Sequence, residues 1–138
     1  MGELSRDEFE AKFLELTSGA DEVYVALAKL FRNGSEHDGE MTPVGMALAY
    51  FSEHRMEVHA YWFPWATARN TLESTVKFIA AVRKKYLVLI FAKPGVKAFY
   101  ENVSKYGVLR RASKVKGYYG NEDAYLFHST GLEYADRT

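Results

Sequence analysis

Seven consecutive apolar residues, Tyr86-Leu-Val-Leu-Ile-Phe-Ala92, stand between Arg83-Lys84-Lys85 and Lys93-Pro94-Gly95. A run this short, apolar on both faces and closed by a breaker, predicts a central strand covered from both sides. A central strand needs neighbours and covering helices, so the rest of the chain is read around it. Upstream, Leu72, Val76, Ile79 and Val82 recur at helical spacing, and Asn70 with Glu73 predicts the N-cap of a helix over 71–85. Arg83-Lys84-Lys85 suits the negative end of that helix.

Before it, Val44–Phe51 and Met56–Phe63 read as strands joined by the short turn Ser52-Glu53-His54-Arg55, an antiparallel hairpin that Pro64 ends. In the second strand Met56, Val58, Ala60 and Trp62 share one face, and Glu57, His59, Tyr61 and Phe63 the other. The order strand, helix, strand predicts that 56–63 and 86–92 lie side by side and parallel. After the central strand, Pro94-Gly95 opens a helix with Val96, Phe99, Val103 and Tyr106 inward and Gly107 as its stop. Val108–Val115 and Asp123–His128 read as a closing hairpin around the loop 117–122.

The N-terminal part reads as helical over 1–33. Ser5 and Glu8 have capping-box spacing before a helix at 5–17, and Val23, Leu27, Leu30 and Phe31 suggest a second at 21–32. A polar loop follows at 33–40, the sheet core spans 44–128, and a loose tail is expected over 129–138. No linker divides the chain, so one α+β domain is expected.

With 18 basic and 18 acidic side chains the formal net charge is zero, which argues against general nucleic-acid binding. A 48% hydrophobic, 15% aromatic composition supports a packed core. Cysteine is absent, and His37, His54, His59 and His128 are dispersed, so no metal site is expected. The polar start and the lack of a long apolar run point to a cytoplasmic protein without a membrane span.

From Val44 onward the order and pattern resemble the Gcn5-related N-acetyltransferase fold, over 44–128. Met56-Glu-Val-His-Ala-Tyr-Trp-Phe-Pro64 is similar to the family's fourth strand, above all in phage-encoded members. Tyr86–Ala92 is similar to its fifth strand. Ala98-Phe99-Tyr100-Glu101 followed by Tyr106-Gly107-Val108-Leu109 is similar to its helix-to-strand passage. The resemblance implies a mixed sheet with a splayed parallel strand pair, flanked by helices, and acetyl-CoA held between the two strands. The family's first strand is not evident, because two helices are read at the start.

The resemblance also assigns site residues. The family's pyrophosphate loop corresponds to Ala66-Thr67-Ala68-Arg69-Asn70-Thr71, with Ala68 and Asn70 where small residues or glycines are expected. That stretch is either a modified pyrophosphate loop using Thr67, Ala68, Arg69, Asn70 and Thr71, or an ordinary strand-to-helix turn. Glu57 and His59 are the acid–base candidates, the alternative being a polar face towards solvent. Tyr100 is the candidate general acid, but it stands seven residues before Gly107 where the family has four, and a core or rim aromatic is the other reading. Lys93-Pro94-Gly95 replaces the family's asparagine after the fifth strand. Arg110, Arg111, Lys114 and Lys116 form a basic strand, read as a solvated edge or as a surface for an acidic group.

The altered positions imply a catalytically degenerate domain serving as a phage-type assembly or protein-interaction factor in a host cytoplasm, with Trp65, Tyr118 and Tyr119 as exposed anchors for a protein partner. The alternative is an active acetyl-CoA-dependent N-acetyltransferase with a divergent loop.

Overall fold

The computed structural model describes residues 11, 14, 15, 17–29 and 41–131. Six strands form one mixed sheet in the order β1-β2-β3-β4-β6-β5: β1 Glu22–Lys29, β2 Met41–Ser52, β3 Arg55–Trp62, β4 Leu87–Ala92, β5 Leu109–Val115 and β6 Ala124–Ser129. Helix α1 (Ala68–Val82) joins β3 to β4, and a 3₁₀ turn at Pro94–Val96 leads into α2 (Lys97–Ser104). The architecture is the expected α+β arrangement.

The parallel pair is present. Arg55, Met56 and Glu57 pair with Leu87, Val88 and Leu89. There the ladder stops: from Leu89 to Ala92, β4 pairs on its other side with His128–Tyr125 of β6, while β3 continues on β2 as far as Trp62. Backbone groups alternate sides along a strand. His54 O accepts from Leu87 N, and Phe63 N donates to Val44 O. The even-numbered residues of β3 therefore turn their peptide groups towards β4, and past Glu57 those of Ala60 and Trp62 face a gap.

The core lies on one face of the sheet. Met56, Val58, Val88, Ile90 and Phe127 pack against Ile79 of α1 and Tyr100 and Val103 of α2. α2 ends before Gly107, whose φ of +81° is the left-handed geometry that stops a helix.

Several expectations need correction. The segment expected as a helix over 21–32 is strand β1 wherever it is described, paired antiparallel with β2 from Glu22↔Ala49 to Lys29↔Met41. Val23, Leu27 and Leu30 suit a helical stripe, but Val23, Val25 and Leu27 equally alternate, and pairing with β2 selects the strand. Glu15 and Thr17 are helical as expected, but most of the helix read over 5–17 lies outside the described residues, as does the loop 33–40. β4 is not covered equally: Val88, Ile90 and Ala92 are buried, whereas Leu87, Leu89 and Phe91 on the other face are half-buried. In and around α2, Tyr100 and Val103 are buried, while Val96 and Tyr106 are exposed.

The tail is anchored at its start rather than loose from 129. Ser129 is buried and its hydroxyl accepts the Val88 N–H at 2.9 Å, and Arg83 donates to Thr130 O at 2.9 Å. Residues 132–138 lie outside the described set.

The hairpin between β2 and β3 turns through Glu53 and His54, and Glu53 has a φ of +57°. A side chain there costs about 1–2 kcal/mol that glycine avoids. Allowing for glycine's greater freedom in the unfolded chain, Glu53→Gly is expected to stabilise the domain by about 0.5 kcal/mol, measured as a raised urea midpoint. A lowered midpoint would show the turn to be unstrained.

Candidate functional site

Alternation along β3 buries Met56 and Val58 among the core and sends Glu57, His59 and Tyr61 to the opposite face. There His59 Nε2 lies 2.7 Å from Glu57 Oε2, and the Tyr118 hydroxyl donates to the same oxygen at 3.1 Å. Both contacts fall on Oε2, so Glu57 Oε1 has no partner among the described residues. Tyr50, from β2, meets the His59 ring edge-on at 5.5 Å.

Tyr118 and Tyr119 come from the loop between β5 and β6, which Gly117 and Gly120 bend at φ of +65° and +80°. The Tyr118 ring stacks flat on Phe91, with centroids 4.4 Å apart. The Tyr119 hydroxyl donates to Phe91 O at 2.5 Å, and Lys93 Nζ stands 5.1 Å from the Tyr119 ring. Partial burial, then the charge and hydrogen bond of Glu57, push the Tyr118 phenol up to about 12, so it remains a proton donor through the neutral range. Burial, then the charges of Glu57 and Tyr61, also raise Tyr119.

Where β3 and β4 part, a cleft of about 310 Å³ opens between them. It passes through the plane of the sheet, because His59, Tyr61 and Phe91 line it from one face and Val58, Ala60 and Ile90 from the other. Tyr100 reaches it from α2. Its ring is buried against Phe99 and Phe127, and burial, then Tyr119, push its phenol up to about 12. The hydroxyl has no hydrogen-bond partner among the described residues, and none of their buried side-chain polar atoms lacks one. It is therefore not sealed in the core.

The segment leading into α1 is tightly closed on itself. Thr67, not Asn70, is the N-cap: the Thr67 hydroxyl accepts the Asn70 N–H at 3.0 Å, and the Asn70 side chain accepts the Thr67 N–H at 3.4 Å. Asn70 lies inside the helix, and among the described non-glycine residues only Glu53 has a positive φ. The Thr71 hydroxyl donates to Ala68 O at 2.8 Å, and Arg69 Nε pairs with Glu73 at 2.8 Å. Trp65 is half-buried rather than exposed; its indole N–H donates to Pro43 O at 2.7 Å and its ring packs on Phe63. Tyr119 is half-buried too, and of the three expected anchors only Tyr118 is exposed.

The structure thus groups Glu57, His59 and Tyr118 beside a cleft that His59, Tyr119 and Tyr100 line, and keeps Trp65 apart. Phe91, Lys93 and Tyr50 also belong to this surroundings. Phe91 was hidden within an unbroken apolar run that carries no sign of which face each residue takes. The basic residues Arg110, Arg111 and Lys114 lie on β5, the edge strand, where Arg111 approaches Glu101 at 3.4 Å and Lys114 approaches Asp123 at 3.8 Å. That is a solvated edge.

A parallel pair that splays after three residue pairs, with an antiparallel hairpin on each side and both described helices on one face, decides the architecture. The fold is that of the Gcn5-related N-acetyltransferases. A ribosomal-protein-alanine N-acetyltransferase from Brucella melitensis superposes with a TM-score of 0.56 at 18% identity, covering 94% of this chain and 80% of that one. The ribosomal-protein-S18-alanine N-acetyltransferase of Escherichia coli gives 0.53 at 13% identity over 96% of both chains. A spermidine N-acetyltransferase chimera from Vibrio cholerae gives 0.55 at 7% identity, covering 90% and 76%. At these identities the likeness is one of acetyltransferase fold. No family model matches the sequence, and no curated protein matches it. Within this acetyltransferase fold, β1 is a strand ahead of the β2–β3 hairpin where the sequence pattern suggests a helix, and no described helix is long and apolar enough to cross a membrane.

Proposed function

We propose that this chain is an acyl-coenzyme A-dependent N-acyltransferase that holds its donor weakly. The observation that carries this reading is that His59 and Tyr100 line the cleft between β3 and β4, with Glu57 bonded to His59 beside it. The cleft fits a narrow thioester arm: it crosses the sheet, and Ala60 offers backbone groups along its β3 wall. Bound there, an acyl-coenzyme A brings an acyl carbonyl on a thiol that leaves as the bond to the amine nitrogen forms. Glu57 takes a proton from the amine at Oε1, the oxygen left free by His59 and Tyr118. His59 and Tyr118 hold the carboxylate in place. Tyr100 keeps a proton on its hydroxyl at the far side of the cleft.

The start of α1 fits less well. Helix N-termini hold phosphates through free N–H groups, and here the N–H groups of Thr67 and Asn70 are spent on the capping box. Losing two donors and lacking the glycines of the family's loop should weaken the diphosphate contact. Calorimetric titration with acetyl-CoA is expected to give a dissociation constant above about 1 μM, weaker than about −8 kcal/mol. A tighter value would mean that the capping box opens on binding.

The closed capping box favours a second reading, a degenerate domain that acts through a protein partner, as phage-type assembly factors of this fold would. The aromatic anchors lend it less support, since Trp65 and Tyr119 are half-buried and all three have contacts within the chain. Absence of any binding to coenzyme A or its thioesters at millimolar concentration would overturn the enzyme reading in favour of this one.

A further inference from the structure

A second cavity, of about 240 Å³, lies between α1 and strands β1 to β3 on the core face of the sheet. Val58, Ala60, Ile90 and Tyr100 line both this cavity and the cleft. The two spaces therefore share walls at the point where the β3–β4 ladder has ended. The second one is largely apolar, with Met46, Ala47, Phe78 and Ile79 among its walls. Of its polar groups, the Thr75 hydroxyl donates to Thr71 O at 2.7 Å and the Tyr24 hydroxyl is bonded to Glu22, while Ser74, Lys77 and Tyr100 stand at its walls.

We propose that this cavity receives the hydrocarbon chain of a medium-chain acyl thioester, so that the preferred donor carries an acyl group of roughly eight carbons rather than an acetyl group. This rests on the thioester reading of the cleft. An acetyl group would leave the cavity empty, and an empty apolar cavity of this size forgoes contacts that a chain would make. The size agrees: an apolar protein cavity of about 150 Å³ takes benzene, so this one has room for roughly eight chain carbons. Each buried methylene tightens binding by about 4-fold, and part of that is lost in ordering the chain. A net preference of about 100-fold for octanoyl over acetyl is expected.

The test is calorimetric titration of the whole chain with acetyl-CoA, octanoyl-CoA and free octanoate, in the wild type and in Ser74→Phe, which fills the cavity from a half-buried position on α1. Octanoyl-CoA should bind about 100-fold more tightly than acetyl-CoA to the wild type, and Ser74→Phe should abolish that difference while leaving acetyl-CoA binding unchanged. Ala47→Leu, which fills the same cavity from β2, gives an independent second variant if the first does not fold. Equal affinity for the two thioesters would overturn the chain pocket and leave the cleft reading standing. The same holds if the octanoyl preference survives in both folded variants, because the chain would then lie elsewhere. If neither thioester binds, the cleft reading itself fails and the pocket with it.

Discussion

Glu57→Gln is expected to lower acyl transfer to an amine by about 10²–10⁴-fold while leaving the fold intact. Glutamine has the same shape, and its amide oxygen can still accept the Tyr118 hydroxyl bond that Glu57 accepts at 3.1 Å. The change removes a charge from a side chain that is about one-third exposed (32%), so no buried ion is stranded. What is lost is the basic oxygen. Turnover measured alongside the thermal midpoint separates the two effects. A variant with an unchanged midpoint and turnover within about 10-fold of wild type would remove Glu57 from the role of base. If the domain instead acts through a protein partner, the same variant should bind that partner normally, and Tyr118→Ala should not.

Phe127→Ala is expected to destabilise the domain by about 3–5 kcal/mol. Phe127 is fully buried, pairs with Ile90 across the β4–β6 ladder and packs on the Tyr100 ring at 5.8 Å. It joins the C-terminal hairpin to the central strand and to α2 at once, so little around it can collapse into the space left. Domains of this size hold about 5–15 kcal/mol in total, and the variant should be marginal at 37 °C. Urea unfolding measures this directly. A loss below about 1.5 kcal/mol would mean that neighbouring side chains close the cavity and that the core is centred elsewhere.

The middle of the fold was legible because its signals are local. The apolar run at Tyr86–Ala92 is marked by its length and its flanking breakers, the stripe of α1 and the alternation of β3 each fit one period only, and together they dictate the parallel pair. β1 was illegible for the opposite reason: Val23 and Leu27 fit both a helical and an alternating pattern, and only pairing with β2, remote in sequence, separates them. The start of α1 shows a subtler ambiguity. Thr67 with Asn70 and Asn70 with Glu73 have the same three-residue spacing, and the reciprocal bonds of the first pair decide between them. At the site, the alternation of β3 was enough to place Glu57 and His59 on one face. The bond from Tyr118 to Glu57 spans 61 positions and depends on how the closing hairpin folds back over β4, which no local pattern encodes. From sequence Tyr118 and Tyr119 read as surface anchors, and the fold sets them beside the acid–base candidates.

The short ladder between β3 and β4 has a further consequence. The sheet is two three-stranded halves, β1-β2-β3 and β4-β6-β5, stitched at one end by three residue pairs. The antiparallel ladders within each half are longer, clearly so between β2 and β3 and between β5 and β6, and by one residue pair between β4 and β6. Proteins open in cooperative units along such boundaries at less cost than global unfolding. The seam between the two units is also the cleft, so the place where a donor would enter is the place where the hydrogen bonding of the sheet is interrupted. A ligand lying across it would bridge two units that the chain itself joins only loosely, adding its binding free energy to their cohesion.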